Sequence, residues 1–146
     1  MDRKTVLLVD DEPGILTAME RLLRQEGYDL LTASGGREGL LRLETHKVHV
    51  VISDQRMPGM TGDAFLQRVK ERWPDIVRVL LTGYTEVGNV VETAAESDLF
   101  YCSLLLPCGD EELQNTIRQC LQRSDALEHH RRMTEPVPAR NGGRGD

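Results

Sequence analysis

The amino-acid sequence predicts an α/β fold: a doubly wound, five-stranded parallel sheet with strand order 2-1-3-4-5. Short, continuous apolar runs recur along the chain, as expected of strands buried on both faces of a parallel sheet. Segments with helical periodicity alternate with these runs, and right-handed crossovers place such helices on both faces of a sheet. The length of 146 residues, with 39% hydrophobic and 29% charged residues, suits one domain with one core.

The elements follow one another as five strand–helix repeats. The predicted strands are Thr5–Val9, Asp29–Thr32, Val48–Ser53, Val77–Thr82 and Phe100–Leu105. The first helix is predicted to end at Gly27 and the second to be N-capped by Ser34. Helices over about residues 63–72 and 87–95 follow. The last helix carries an apolar stripe through Leu113, Ile117, Cys120 and Leu121.

The composition changes after residue 123, where the helical pattern decays. The segment 124–146 ends in the Pro/Gly-rich stretch EPVPARNGGRGD and predicts a disordered tail or a linker stub. Residues 1–123 are therefore predicted to form the folded domain.

Charge and hydropathy exclude several classes of protein. The net charge is −6, and because charges balance from Ser124 onward, the whole deficit lies in residues 1–123. An acidic domain argues against nucleic-acid binding through this surface. No apolar run approaches the roughly 18 residues of a membrane span, and the N-terminus has no signal-peptide pattern. The three cysteines, without CxxC spacing, indicate reduced thiols in a cytoplasmic protein.

Acidic and hydroxyl side chains follow the strands at one edge of the predicted sheet. Asp10, Asp11 and Glu12 follow the first strand, Asp54 follows the third, and Thr82 ends the fourth. Sites in open α/β sheets form at the carboxyl ends of the strands. Strands one and three are neighbours in the predicted order, so three aspartates are expected close together.

Such a cluster predicts a divalent cation site. Neighbouring carboxylates repel one another, and Mg²⁺ prefers oxygen ligands of this kind. The alternative is that the acids only stabilise the N-terminus of the first helix, and this is the interpretation preferred for Glu12. Beside a cation, Asp54 is a candidate nucleophile toward a phosphoryl group, and Thr82 a hydrogen-bond donor to its oxygens or simply a structural threonine.

Four segments resemble the receiver domain of bacterial two-component response regulators, a flavodoxin-like (βα)5 fold. They are LLVDDEPGI, VVISDQRMPGMTG, LLTGYT and the proline after the fifth strand, and the resemblance covers roughly residues 4–123. It implies that Asp54 accepts phosphate from a histidine kinase or phosphotransfer protein. Asp10, Asp11, Asp54 and the backbone carbonyl of Arg56 would hold Mg²⁺. Thr82 would report phosphorylation to the face formed by the fourth helix, fifth strand and fifth helix.

The sequence departs from this family where the fifth strand ends. The family's lysine before the proline is Leu106 here, and its aromatic switch residue is Ser103, with Tyr101 as a weak substitute. Three carboxylates and one Mg²⁺ leave one negative charge that the lysine would neutralise. Losing such an ion pair at about 4 Å weakens phosphate coupling by roughly 1–4 kcal/mol. Arg56 and Tyr84 are candidate modulators, the arginine by approaching phosphoryl oxygens and the tyrosine by shielding an acyl phosphate. For Arg56 the preferred interpretation is a solvated loop arginine, and for Tyr84 the functional and the purely structural interpretations stand equal.

Two functions remain open on these residues. One is a phospho-acceptor switch with altered coupling, which is not an enzyme beyond its own phosphotransfer and autodephosphorylation. The other is a degenerate receiver that binds partners without a phosphate cycle. A phosphatase of the haloacid dehalogenase type is disfavoured because its nucleophile stands in a DxD arrangement. The expected downstream partner is an effector protein or a missing effector domain, with a homodimer as a further possibility, and no nucleic acid or membrane is expected to bind this domain.

Overall fold

The computed structural model describes residues 3–83, 102–106 and 108–134. The strands are β1 Thr5–Val9, β2 Asp29–Ala33, β3 Val50–Asp54, β4 Val77–Gly83 and β5 Cys102–Leu106. The helices are α1 Pro13–Leu23, α2 Gly36–Thr45, α3 Gly62–Arg72 and Asp110–Thr134, here called the long helix. The helix predicted over residues 87–95, together with Tyr84, Tyr101 and Pro107, lies outside the described residues.

The five strands form one parallel sheet in the order β2-β1-β3-β4-β5, which confirms the predicted fold. Val9 at the end of β1 pairs with Ser53 of β3, and Asp54 pairs with Leu81 of β4. Gly83 pairs in turn with Leu106, the last residue of β5. The carboxyl ends of these four strands therefore meet along one edge of the sheet.

The apolar strand runs are explained by packing on both faces of the sheet. Phe65 and Leu66 of α3 pack with Leu7 and Val51 in a cluster on one face. The second cluster contains alternate strand residues with helix residues: Val6, Leu8, Val50, Ile52, Met19, Leu23, Ile117 and Cys120. Successive strand residues point to opposite faces, so a strand covered twice needs apolar residues at every position.

Two helix ends differ from the sequence prediction. Helix α1 stops at Leu23, and Gly27, with φ of +96°, lies in the turn beyond it. The N-cap of α2 is Gly35, so the prediction for Ser34 is wrong. The Ser34 backbone N–H and hydroxyl instead both donate to the Glu38 carboxylate, at 2.6 and 2.8 Å. An N-cap side chain accepts a hydrogen bond from a helix N–H, whereas the Ser34 hydroxyl donates here, so this contact does not cap the helix.

The long helix continues to Thr134, past the point at residue 123 where the sequence pattern decays. Ser124 is 3% exposed, and Leu127 packs against the second core cluster. Lys4, next to the start of β1, bonds to Asp125 at 2.7 Å and to Glu128 at 2.5 Å. These contacts join distant parts of the chain, so local periodicity does not reveal them. Residues 135–146 lie outside the described ranges, and a domain boundary at 123 stays a prediction.

Within the part of the chain that the structure describes, no helix combines the length and apolar character that a membrane span requires.

Candidate functional site at the carboxyl edge of the sheet

Three aspartates converge at the carboxyl edge of the sheet. Asp10 and Asp11 directly follow β1, and Asp54 is the last residue of β3. One carboxylate oxygen from each lies within 4.8 Å of the others. The adjacency of β1 and β3 produces this arrangement, because neighbouring parallel strands bring their ends to the same place. The predicted acidic cluster is thus formed by the fold.

Asp10 is the buried member, with 4% of its surface exposed. Its Oδ1 accepts a hydrogen bond from the backbone N–H of Glu12 at 2.9 Å. Burial raises the pKa of Asp10, the Glu12 N–H opposes this, and the charges of Asp11 and Glu12 raise the pKa further. A buried carboxylate with two further carboxylates within 4.8 Å fits a hard divalent cation, which prefers oxygen ligands.

Replacing Asp10 with asparagine should stabilise the cation-free protein at neutral pH. The raised pKa means that the folded protein disfavours the charged form of Asp10. The neutral carboxyl therefore contributes to stability fully below the ordinary pKa of 3.8, and this contribution is lost as pH rises through the pKa of the folded protein. Asparagine keeps an acceptor for Glu12 and removes the charge. We expect a gain of about 1 kcal/mol for each neighbouring carboxylate at the dielectric of water.

Chemical denaturation with EDTA present, at pH 7 and below pH 4, measures this effect. The Asp10→Asn variant should gain stability relative to wild type at pH 7 and lose that advantage in acid. If the cluster holds Mg²⁺, the loss of a charged ligand should lower the affinity for the cation at least about tenfold. Equal stability of the two proteins at pH 7 would contradict the electrostatic interpretation.

Glu12 belongs to the start of α1, as the sequence indicates. It is the N-cap residue, and its carbonyl accepts from the N–H groups of Ile15 and Leu16 at 3.1 and 3.2 Å. Its side chain makes no cap hydrogen bond and is exposed. The three aspartates, and not Glu12, make up the described acidic cluster.

Thr82 lies one residue beyond Leu81, the β4 partner of Asp54. It is fully buried, and its hydroxyl donates to the carbonyl of Gly83 at 3.3 Å. Strand register therefore brings the backbone of Thr82 to the edge that carries the aspartates. The Thr82 hydroxyl can rotate from the Gly83 carbonyl to another acceptor, and this leaves the backbone hydrogen bonds of the strand intact.

The loop between β3 and α3 contains residues that the sequence analysis missed. Gln55 is 8% exposed and exchanges side-chain hydrogen bonds with Asp63, the second residue of α3. Arg56, the next residue, is exposed. Neither Gln55 nor Asp63 lies in a periodic pattern, and the sequence shows only a glutamine directly after the candidate nucleophile, without its burial.

Two departures from the family pattern lie on β5. Leu106 ends the strand opposite Gly83, one position beyond the Thr82–Leu105 pair. Ser103 is half-buried opposite Leu80. The backbone therefore carries position 106 to the same edge as the aspartates, where leucine supplies no charge.

Comparison with known proteins agrees with this geometry. The chain matches the model of the response regulator receiver domain over residues 6–125. It is 40% identical over 118 residues to the hydrogenase transcriptional regulatory protein HoxA of Cupriavidus necator, covering 81% of this chain and 24% of that protein. The transcriptional regulatory protein GlrR of Escherichia coli is 34% identical over 119 residues, covering 82% and 26%. The chain thus spans about a quarter of the length of these curated relatives.

Solved structures show the same likeness. An uncharacterized protein from Neptuniibacter caesariensis has a TM-score of 0.84 and 34% identity, covering 92% of this chain and all of that one. The signal receiver domain of an HD domain-containing protein from Pseudomonas fluorescens has a TM-score of 0.81 and 31% identity, covering 86% and 99%. Together with the parallel sheet and its acidic edge, these matches show that the chain belongs to the response regulator receiver domain family.

Proposed function

We propose that this receiver domain is a phospho-acceptor switch in which Asp54 takes a phosphoryl group from a histidine kinase or phosphotransfer protein. The observation that carries the proposal is the convergence of Asp10, Asp11 and Asp54 within 4.8 Å at the sheet edge. Asp10, Asp11 and Asp54, with the backbone carbonyl of Arg56, would hold Mg²⁺. When bound, the cation supplies the positive charge that offsets the carboxylates and phosphoryl oxygens.

The transfer needs one nucleophile and a leaving group. A carboxylate oxygen of Asp54 attacks phosphorus, an acyl-phosphate bond forms, and the phosphorus–nitrogen bond of the donor phosphohistidine breaks. The donor imidazole leaves with the electron pair and takes up a proton. Thr82 then donates its hydroxyl hydrogen to a phosphoryl oxygen in place of the Gly83 carbonyl that it now contacts. The domain acts as a phospho-acceptor, with at most its own phosphotransfer and autodephosphorylation.

Phosphorylation is proposed to change the face formed by the fourth predicted helix, β5 and the long helix, and this face is proposed to contact the target. Leu106 lowers the coupling, because no lysine meets the phosphoryl group where β5 ends beside Gly83. Arg56 would supply a partial replacement charge, and Tyr84 would shield the acyl phosphate from water. The target is an effector domain or protein in the cytoplasm, or a second copy of this chain. The names of the relatives favour a transcriptional effector.

A second candidate is a degenerate receiver that binds its partner without a phosphate cycle. Position 106 favours it, because leucine, which pairs with Gly83 at the end of β5, supplies no positive charge. Ser103 also favours it, since a serine supplies no aromatic ring to switch rotamers.

Incubation with acetyl phosphate and Mg²⁺, followed by intact-mass measurement, separates these two functions. The switch predicts a species heavier by one phosphoryl group, removed by hydroxylamine and absent from Asp54→Asn and Asp54→Ala variants. The label should also require Mg²⁺ and disappear with EDTA. A wild-type protein that stays unlabelled at saturating Mg²⁺ would exclude the switch and leave the binding module.

A further inference from the structure

Gln55 closes the base of the loop that joins β3 to α3. Its backbone N–H donates to the carbonyl of Leu81 at 3.0 Å, and its carbonyl accepts from the N–H of Gly62 at 2.9 Å. Its side-chain Nε2 donates to Oδ1 of Asp63 at 3.0 Å, while its Oε1 accepts from the backbone N–H of Asp63 at 2.8 Å. The polar groups of this buried residue are thus engaged on both the strand side and the helix side of the loop.

The Asp63 carboxylate holds the other side of the closure. Its Oδ1 also accepts from the Thr61 hydroxyl at 2.6 Å and from the N–H of Ala64 at 3.0 Å. Burial raises the pKa of Asp63, but these hydrogen bonds outweigh it and hold the pKa below its ordinary value. A carboxylate in the first turn of a helix is common, because the helix dipole favours it. The reciprocal pair with a buried glutamine at the start of the loop after β3 is not required by that role.

The position of Gln55 gives this pair its significance. Asp54 precedes Gln55 directly, and Arg56 follows it, so one residue connects the proposed nucleophile to the proposed carbonyl ligand. We propose that Gln55 and Asp63 are positioning residues of the cation site, which fix the backbone on both sides of Gln55 without touching the cation. This inference rests on the proposed function, because it takes Asp54 and Arg56 as ligands.

Gln55→Leu tests the pair most directly, since it removes both side-chain hydrogen bonds and replaces the amide with an apolar side chain of similar size. We expect the Mg²⁺ dissociation constant to rise about tenfold or more, as for other groups that orient metal ligands. Asp63→Ala should produce a similar loss. The conservative Asp63→Asn keeps a carbonyl acceptor and should stay within about threefold of wild type, well short of that tenfold effect.

The matched control is Gln67→Leu, the same substitution on the exposed face of α3, where the amide bonds to Glu71 at 3.3 Å. It should leave Mg²⁺ affinity unchanged. Magnesium titration followed by the amide resonances of Gly62 and Arg56 gives the affinity without any phosphoryl donor. Thermal unfolding in EDTA, measured in parallel, reports the loss of stability alone.

A Gln55→Leu protein that unfolds at lower temperature but binds Mg²⁺ as wild type does would overturn the inference, because the pair would then be only structural. Equal losses in Gln55→Leu and Gln67→Leu would overturn it too. Failure of the proposed function is distinguishable: the wild type would bind Mg²⁺, with the variants weakened as expected, yet take no phosphoryl group from acetyl phosphate.

Discussion

A Gly62→Ala variant is expected to lose about 3 kcal/mol or more of unfolding free energy, at or above the upper end of the range for overpacked sites. A Cβ atom at this position would lie 2.2 Å from the carbonyl oxygen of Asp54 and 2.9 Å from the Cα of Gln55. Both contacts are with backbone atoms, which cannot rotate away as a flexible side chain does. The strand end or the start of α3 must therefore move.

The same displacement should damage the acidic edge, because Asp54 supplies one of its carboxylates. Thermal unfolding with and without Mg²⁺ measures both effects. We expect a fall in Tm of roughly 10 °C and a much smaller stabilisation by Mg²⁺ than in wild type. Gly14→Ala is the matched control, because a Cβ at Gly14 meets nothing within 4 Å. If both variants unfold at the wild-type temperature, the close approach at Gly62 has no energetic consequence.

A Leu106→Lys variant is expected to bind a phosphoryl mimic at least about fivefold more tightly than wild type, corresponding to the lower bound of 1 kcal/mol for an ion pair at about 4 Å. The register places position 106 beside Gly83, next to the Thr82–Leu105 pair. A lysine there would meet the excess negative charge of the cation-loaded site. The amide resonances of Thr82 and Gly83 should then shift further on binding.

Titration with beryllium fluoride in the presence of Mg²⁺ provides the measurement, and Leu106→Met the neutral control. The increase in affinity should be seen with Leu106→Lys and not with Leu106→Met. It should become smaller as salt is added, since salt screens charges near the surface. Equal affinities of the lysine and methionine variants would show that the missing charge does not limit the response. The altered coupling proposed here would then need another cause.

The fold was predictable because its signals are local and periodic. Runs such as Val6–Val9 are apolar at every position, which indicates strands covered on both faces. Acids after β1 and β3 predicted the cluster, since topology alone brings those strand ends together. Each of these inferences needs only the pattern of one segment and a general rule of sheet topology.

The remaining features depend on partners that are distant or specific in geometry. The amide of Gln55 matters because Asp63 meets it across the loop, which no spacing reveals. Gly35 occupies the N-cap position that Ser34 was predicted to fill, and Ser34 instead donates to Glu38 in the first turn of α2. The helical segment past residue 123 pairs with Lys4, which is remote in sequence.

The long helix has a mechanical consequence as a lever arm. It begins at Asp110, soon after β5, and its 25 residues correspond to about 37 Å at 1.5 Å per residue. Pivoting such a rod by about 5° at its first turn carries its far end through about 3 Å over that length. The Lys4 contacts with Asp125 and Glu128 brace the rod well short of its tip. Because Leu113, Ile117 and Cys120 lie in the second core cluster, a pivot at Asp110 would have to work against these contacts as well as against the Lys4 ion pairs.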